Sequence, residues 1–154
     1  MSHRKSDSGA PEALAFEFFN EVGIISQLSS TRMQRALPHG MTQSQFSVLN
    51  WFVRVDTQAS PTRLANAFQV TKGAMTNTLG KLEEKGFISI EPDPTSGRSK
   101  IVTMTSAGAR ARKAALGALT ADLEQFLGAF SVSDLRTALP FLKEVRAFLD
   151  AARE

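Results

Sequence analysis

Residues 60–86 read SPTRLANAFQVTKGAMTNTLGKLEEKG, the pattern of two short helices joined by a tight turn. Ser60 is placed to cap the first helix, with Pro61 at the first helical position, where a missing N–H costs nothing. Leu64 and Phe68, with Ala65 between them, make one apolar face. Gln69-Val70-Thr71 forms the turn; Val70 is expected to point inward and pin the corner, and Thr71 to cap the next helix. That second helix is expected from Lys72 to about Lys85. Met75, Leu79 and Leu82 recur on it at i, i+4 and i+7, a stripe that faces a core.

The opposite side of the same helix carries Lys72, Gly73, Thr76, Asn77, Gly80 and Lys81, with no acidic residue before Glu83 and Glu84. A helix that enters a DNA major groove needs small residues where it comes close, hydrogen-bonding tips for base edges and cations for phosphates. This face offers all three. Two glycines in so short a helix each cost roughly 1 kcal/mol relative to alanine. Either they allow close approach of another surface, or they pack against a neighbouring helix.

Beyond Gly86, a C′ glycine by position, Phe87–Glu91 reads as a strand and Lys100–Met104 as its return, with the turn-rich Pro92–Ser99 between them. The hairpin tip bears Arg98 and Lys100. Thr105-Ser106-Ala107-Gly108 opens a further helix whose first half carries Arg110, Arg112 and Lys113, expected on a solvated face, and whose second half is rich in Leu and Phe. Ser131-Val132-Ser133 breaks it. A last helix follows to about Ala152, with Pro140 inside it, where a kink is expected.

Upstream, residues 57–60 read as a connecting loop. Before it a helix starts near Gln43, since Thr42 and Gln45 match a capping box. Phe46, Leu49 and Val53 share one side of it with Val48 and Phe52 beside them, and Trp51 lies off that centre. A longer helix spans residues 11–37, with Leu14, Phe18, Val22 and Ile25 on a stripe widened by Phe19, Ile24 and Leu28. That breadth predicts burial against more than one element. Residues 1–10 are small and polar and read as a disordered tail.

The 154 residues suffice for one domain with a core, and 42% of them are hydrophobic and 21% charged. The net charge of +3 admits an anionic partner without establishing one. Without cysteine there are no disulfides, thiolate metal sites or cysteine redox switches. Neither a membrane span nor a secretory signal is visible, so a cytoplasmic location is expected.

Helix, helix, two-helix unit, hairpin and two long helices make a specific order. The chain resembles the MarR (multiple antibiotic resistance regulator) family of bacterial winged helix-turn-helix transcription factors. The resemblance rests on Met41–Leu49 (MTQSQFSVL), Leu64-Ala65, Met75-Thr76 leading through Leu79, Leu82 and Glu83 to Lys85–Ile88, Asp93-Pro94 with Arg98, and Thr105 with Gly108. It implies a mainly α fold with a small β-wing, in which the winged unit over 42–105 binds DNA. The helix at 11–37 and those within 106–152 would then join two copies into a homodimer.

It further implies major-groove reading by the 72–85 helix, minor-groove contact by the wing over 92–100, and a double-stranded, pseudo-palindromic operator. Many members are repressors released by a small aromatic or phenolic ligand. On the matching positions, Thr71, Lys72, Gly73, Thr76, Asn77, Lys81, Arg98 and Lys100 are the DNA-contacting candidates. Arg35, His39 and Trp51 are the ligand-contacting ones, beside Phe46. No metal or cofactor is expected. Three residues depart from the family pattern. Asn77 stands where arginine is common and offers an amide that pairs bidentately with adenine. Ser96 replaces a second wing aspartate and removes an ion pair expected to steady Arg98, and Gly80 could loosen its helix.

Two other classes stand beside this reading. A winged-helix module that binds protein normally shows acidic or apolar residues on the exposed helix, unlike this one. An enzyme would need nucleophilic or metal chemistry from a chain with no Cys and two His, and Glu17, Glu21, Asp122 and Glu124 sit at solvent-facing helical positions.

Overall fold

The computed structural model describes residues 9–152, so the expected tail lies, up to residue 8, outside the described residues. In order they form α1 (Pro11–Ala36), α2 (Gln43–Arg54), β1 (Gln58–Ala59), α3 (Pro61–Phe68), α4 (Lys72–Glu84), β2 (Ile88–Pro92), β3 (Lys100–Met104), α5 (Ser106–Ala129) and α6 (Val132–Ala151). The fold is mainly helical with one small antiparallel sheet, as the winged helix-turn-helix expectation requires. Contacts divide the chain between Ala115 and Leu116 into two compact units.

In the first unit, Met75, Leu79 and Leu82 of α4 are 3%, 1% and 0% exposed, so the stripe read from the sequence is the buried one. Fully burying side chains of this size contributes about 1.5–3 kcal/mol each. They join Leu64 and Ala65 of α3, Val48, Leu49 and Phe52 of α2, and Ile88 and Val102 of the sheet in one core. α4 packs against α2, α3 and β2.

Local chemistry fixes the ends of these elements. Gln45 N donates to Thr42 Oγ1 while the Gln45 side chain accepts from Thr42 N, completing the capping box. Ser60 Oγ accepts from Arg63 N, and Thr71 Oγ1 from Ala74 N, both at 3.1 Å. At the end of α4, Gly86 takes φ +75°, its N–H donates to Glu83 O, and Phe87 N–H donates to Leu82 O. These are the two bonds of a Schellman stop, which needs a left-handed residue here.

Several expectations are corrected. Val70 is not the inward pin of the corner but 42% exposed. The corner is set by the backbone instead: Gln69 adopts a left-handed conformation and Val70 N–H donates to Ala65 O. Part of the 57–60 loop is strand β1, Gln58 pairing with Thr103 and Ala59 with Val102, so the sheet has the order β1-β3-β2. Two residues are too few to show the alternation that reveals a strand. Trp51, read as off the centre of the α2 stripe, is buried, its ring 5.4 Å edge-on to Phe52 and 5.0 Å from the Arg63 guanidinium that lies over it. Val53, in the last turn of α2, is exposed.

The broad stripe of α1 is not buried within the chain, and Phe16, Leu14 and Leu28 stand out at 81%, 65% and 65% exposure. In the second unit α6 likewise buries no residue, and Leu123, Phe130, Phe141 and Phe148 are exposed. α6 is capped by Ser131 Oγ, which accepts from Asp134 N, and Pro140 lies inside it.

α5 is fastened at its start. Thr105 Oγ1 donates to Gly86 O at 2.6 Å and accepts from Gly108 N at 3.0 Å. A Cβ on Gly108 would collide with the Phe87 carbonyl, whereas one on Gly73 or Gly80 would meet nothing within 4 Å. The alternative that these two helix glycines pack against a neighbour is therefore removed within the chain. Helix propensity alone favours alanine at an interior position by up to about 1 kcal/mol. Gly80→Ala is expected to raise stability by that order, and Gly108→Ala to lower it by about 1–3 kcal/mol through overpacking. Urea unfolding at one fixed protomer concentration checks both, and an increase for Gly108→Ala contradicts the packing described.

Candidate nucleic-acid interface

With Met75, Leu79 and Leu82 turned inward, α4 presents Lys72, Gly73, Thr76, Asn77 and Lys81 as an exposed face. Thr71, at its head, has its hydroxyl oxygen engaged as the N-cap. Thr78 Oγ1 is tied to Ala74 O at 3.2 Å. Asn77 and Thr76 are the side chains on this face with both polar tips and short reach.

A cleft of about 440 Å³ joins this face to the hairpin. It is lined by Ser60, Pro61 and Thr62 from the start of α3, Lys72 and Thr76 from α4, and Ser96, Arg98, Ser99 and Lys100 from the hairpin and β3. None of these residues is acidic, and three are cations. The start of α3 adds the positive end of its helix dipole, which also favours an anion, although Pro61 has no N–H and the Arg63 amide is taken by Ser60. The fold thus brings Lys72, Thr76, Arg98 and Lys100 onto one concave surface. Thr71, Gly73, Asn77 and Lys81 lie along α4 outside the lining.

The hairpin tip is organised by its own backbone and one carboxylate. Ser96 N donates to Asp93 O, Ser99 N to Ser96 O, and Asp93 N to Ser99 O. Asp93 Oδ1 accepts from Thr95 N at 2.9 Å and from Thr95 Oγ1 at 2.7 Å. Among the described residues no carboxylate pairs with Arg98, so its charge is left for an external anion. Turn bonds, rather than an ion pair, shape the loop that carries it.

Sequence reasoning missed several contributors. Ser60, Pro61, Thr62 and Ser99 line the cleft; the Ser-Pro start of α3 was the visible signal, but nothing in the sequence says which charges a helix start will face. Arg63 pairs with Asp56 at 2.7 Å while lying over Trp51, which ties α3 to the end of α2. That bond from Arg63 is the main reason the Asp56 carboxyl is held below the ordinary range. Arg112, expected on a solvated face, is half-buried and donates from Nε to Asn50 Oδ1 at 3.1 Å, while Arg110 and Lys113 are exposed.

Of the ligand candidates, Arg35 and His39 are exposed, His39 with φ +60°. Trp51 borders a cavity of about 190 Å³ with Phe46, Ser47, Asn50, Arg54, Val55 and Phe68. Neither Arg35 nor His39 lines it. Among the described residues no group of three or more His, Cys, Asp or Glu is placed to hold a metal ion. No helix among them is long and apolar enough to cross a membrane.

A profile of the MarR family matches residues 39–99. The chain is 28% identical over 131 residues to the transcriptional activatory protein BadR of Rhodopseudomonas palustris, covering 83% of this chain and 75% of that one. It is 26% identical over 139 residues to the transcriptional regulator HosA of Escherichia coli, covering 90% and 99%. Among solved structures, an Escherichia coli MarR variant complexed with operator DNA superposes with a TM-score of 0.65 at 27% identity, covering 82% of this chain and 96% of that one.

The hairpin turn has a pH signature. Bonds from the Thr95 amide first, and its hydroxyl second, hold the Asp93 carboxyl below its ordinary value of 3.8. A depressed carboxyl stabilises the folded turn fully above that ordinary value, and the contribution is lost as pH falls through the lower folded value. An NMR titration should therefore move the Thr95 amide with a midpoint below 3.8. A midpoint at or above that value contradicts the turn geometry.

Proposed function

The chain belongs to the MarR family, and on that premise we propose that it is a homodimeric, sequence-specific DNA-binding regulator of transcription. The observation that carries the reading is the shared concave surface on which Lys72, Thr76, Arg98 and Lys100 converge, with no acidic residue in its lining. In this reading α4 lies in the major groove of one half-site and the hairpin reaches the adjacent minor groove. Lys72, Lys81, Arg98 and Lys100 meet phosphates or the minor-groove floor, and Thr76 and Asn77 meet base edges. Gly73 and Gly80, which no group in the chain requires, let the helix come close.

A second copy covers the apolar faces that α1, the latter part of α5 and α6 leave exposed, since patches of this extent mark association surfaces. A two-fold dimer matches a pseudo-palindromic site. The protein works alongside DNA in the bacterial cytoplasm and is not a catalyst. In the primary reading it represses, and a small aromatic or phenolic effector releases it. Trp51 is the best-supported contact for that effector, because it borders a cavity. The name of the Rhodopseudomonas relative supports a second reading in which binding activates. A reporter behind the bound promoter separates the two, rising on deletion of the regulator in the first and falling in the second.

DNA binding is tested by gel shift over operator variants and salt. Arg98→Ala is expected to weaken binding to all sequences and to reduce the salt slope by about 1 if it holds a phosphate. Asn77→Ala is expected to flatten preference at one or two base pairs, each contributing on the order of 1–3 kcal/mol. Both variants binding every duplex like the parent refutes the proposal.

A further inference from the structure

The far end of α4 is tied by polar bonds to α2 and to the link between α1 and α2, which Gln34 of α1 holds in turn. Lys85, the residue that ends α4, donates from Nζ to Gln45 Oε1 at 2.7 Å and to Gly40 O at 3.2 Å. Gln45 is 5% exposed, and its Oε1 also accepts from Thr42 N. Gly40 belongs to the link between α1 and α2, where His39 and Gly40 are both left-handed, at φ +60° and +62°. Gln34, in the last turns of α1, holds the same link from the other side: Nε2 donates to Met41 O at 2.9 Å and Oε1 accepts from Gln43 N at 3.0 Å.

A charge-assisted bond to a nearly buried amide is stronger than a surface contact, and a fully satisfied network resists rearrangement. Lys85 is half-buried and occupied by these two acceptors, unlike the exposed Lys72 and Lys81.

We propose that Gln34, Gln45 and Lys85 are positioning residues that fix the far end of α4 to the base of α1. Through that tie they set the separation at which a dimer presents its two reading helices. The inference rests on the DNA-binding dimer proposed above. If α1 belongs to the dimer contact and α4 to the DNA contact, the rigidity between them decides how sharply the protein discriminates half-site spacing. Moving one half-site by a single base pair shifts it along the duplex and rotates it by about a tenth of a turn. A stiff connection cannot follow that displacement; a slack one can.

The test measures affinity for the parent operator and for operators with one base pair added to or removed from the spacer. It uses the full chain and the variants Lys85→Met, Gln34→Leu and Gln45→Glu, with dimer mass and melting recorded for each. For the parent chain, altered spacing is expected to weaken binding by about a hundredfold, because base contacts in one half-site are disturbed. For Lys85→Met and Gln34→Leu that penalty should shrink to under about tenfold while the salt slope stays unchanged, because no phosphate contact is lost. Gln45→Glu keeps the acceptor for Lys85 and should retain the parent's discrimination.

A salt slope reduced by about 1 in Lys85→Met makes it a phosphate contact and overturns the inference. An unchanged spacing penalty in Gln34→Leu overturns it as well, whether or not Lys85→Met folds. A parent chain that binds no duplex refutes the regulator itself. A parent that binds but ignores spacing refutes only this tie.

Discussion

The stripe of Met75, Leu79 and Leu82 is the constraint from which the rest follows. Excluding those three side chains from water leaves α4 one rotational setting about its axis. At 3.6 residues per turn, that setting puts Gly73, Thr76, Asn77 and Lys81 outside. The caps then define where the face begins and ends, Thr71 at its head and the Gly86 stop at its foot. β2 starts directly after that stop, so the hairpin is placed by the same helix whose outer face it flanks. Thr105 and Gly108 lock α5 onto the junction, where only a glycine fits.

Electrostatics completes the surface by omission as much as by supply. Asp56 is paired with Arg63, and Asp93, bonded to Thr95, keeps its charge but lies outside the lining of the cleft. Lys85, by contrast, is turned away into a network of amides and carbonyls. The sequence has a formal charge of only +3, yet the lining of one cleft holds three cations and no acid. Distribution, not total, makes such a surface attractive to a polyanion. The exposed apolar faces of α1 and α6 are the corresponding feature for association, since a lone chain leaves them in water.

Much of this was legible in the sequence because it rests on local rules. The 3.6 periodicity of α4, the capping box at Thr42 and Gln45, the Ser60-Pro61 start and the Gly86 stop each carry their cause within a few residues. What escaped depends on partners distant in the chain. β1 exists because Gln58 and Ala59 meet Thr103 and Val102, and the cation over the Trp51 ring comes from Arg63 of α3. Val70 was misplaced because a left-handed Gln69, which no pattern announces, closes α3 without needing an apolar pin. In the sequence Lys85 marks only the end of α4, and its bond to Gln45 spans 40 residues of chain. A distant partner likewise separates Arg112, bonded to Asn50, from its exposed neighbours Arg110 and Lys113.

The central claim, that the outer face of α4 enters a duplex, is tested most directly by footprinting with single cysteines. The natural chain has none, so each label is unambiguous. Asn77→Cys and Glu17→Cys proteins are alkylated with and without the operator duplex at physiological salt. The account predicts strong protection at position 77 by the operator but not by a scrambled duplex, and none at position 17. Equal alkylation of position 77 with and without bound operator would contradict it.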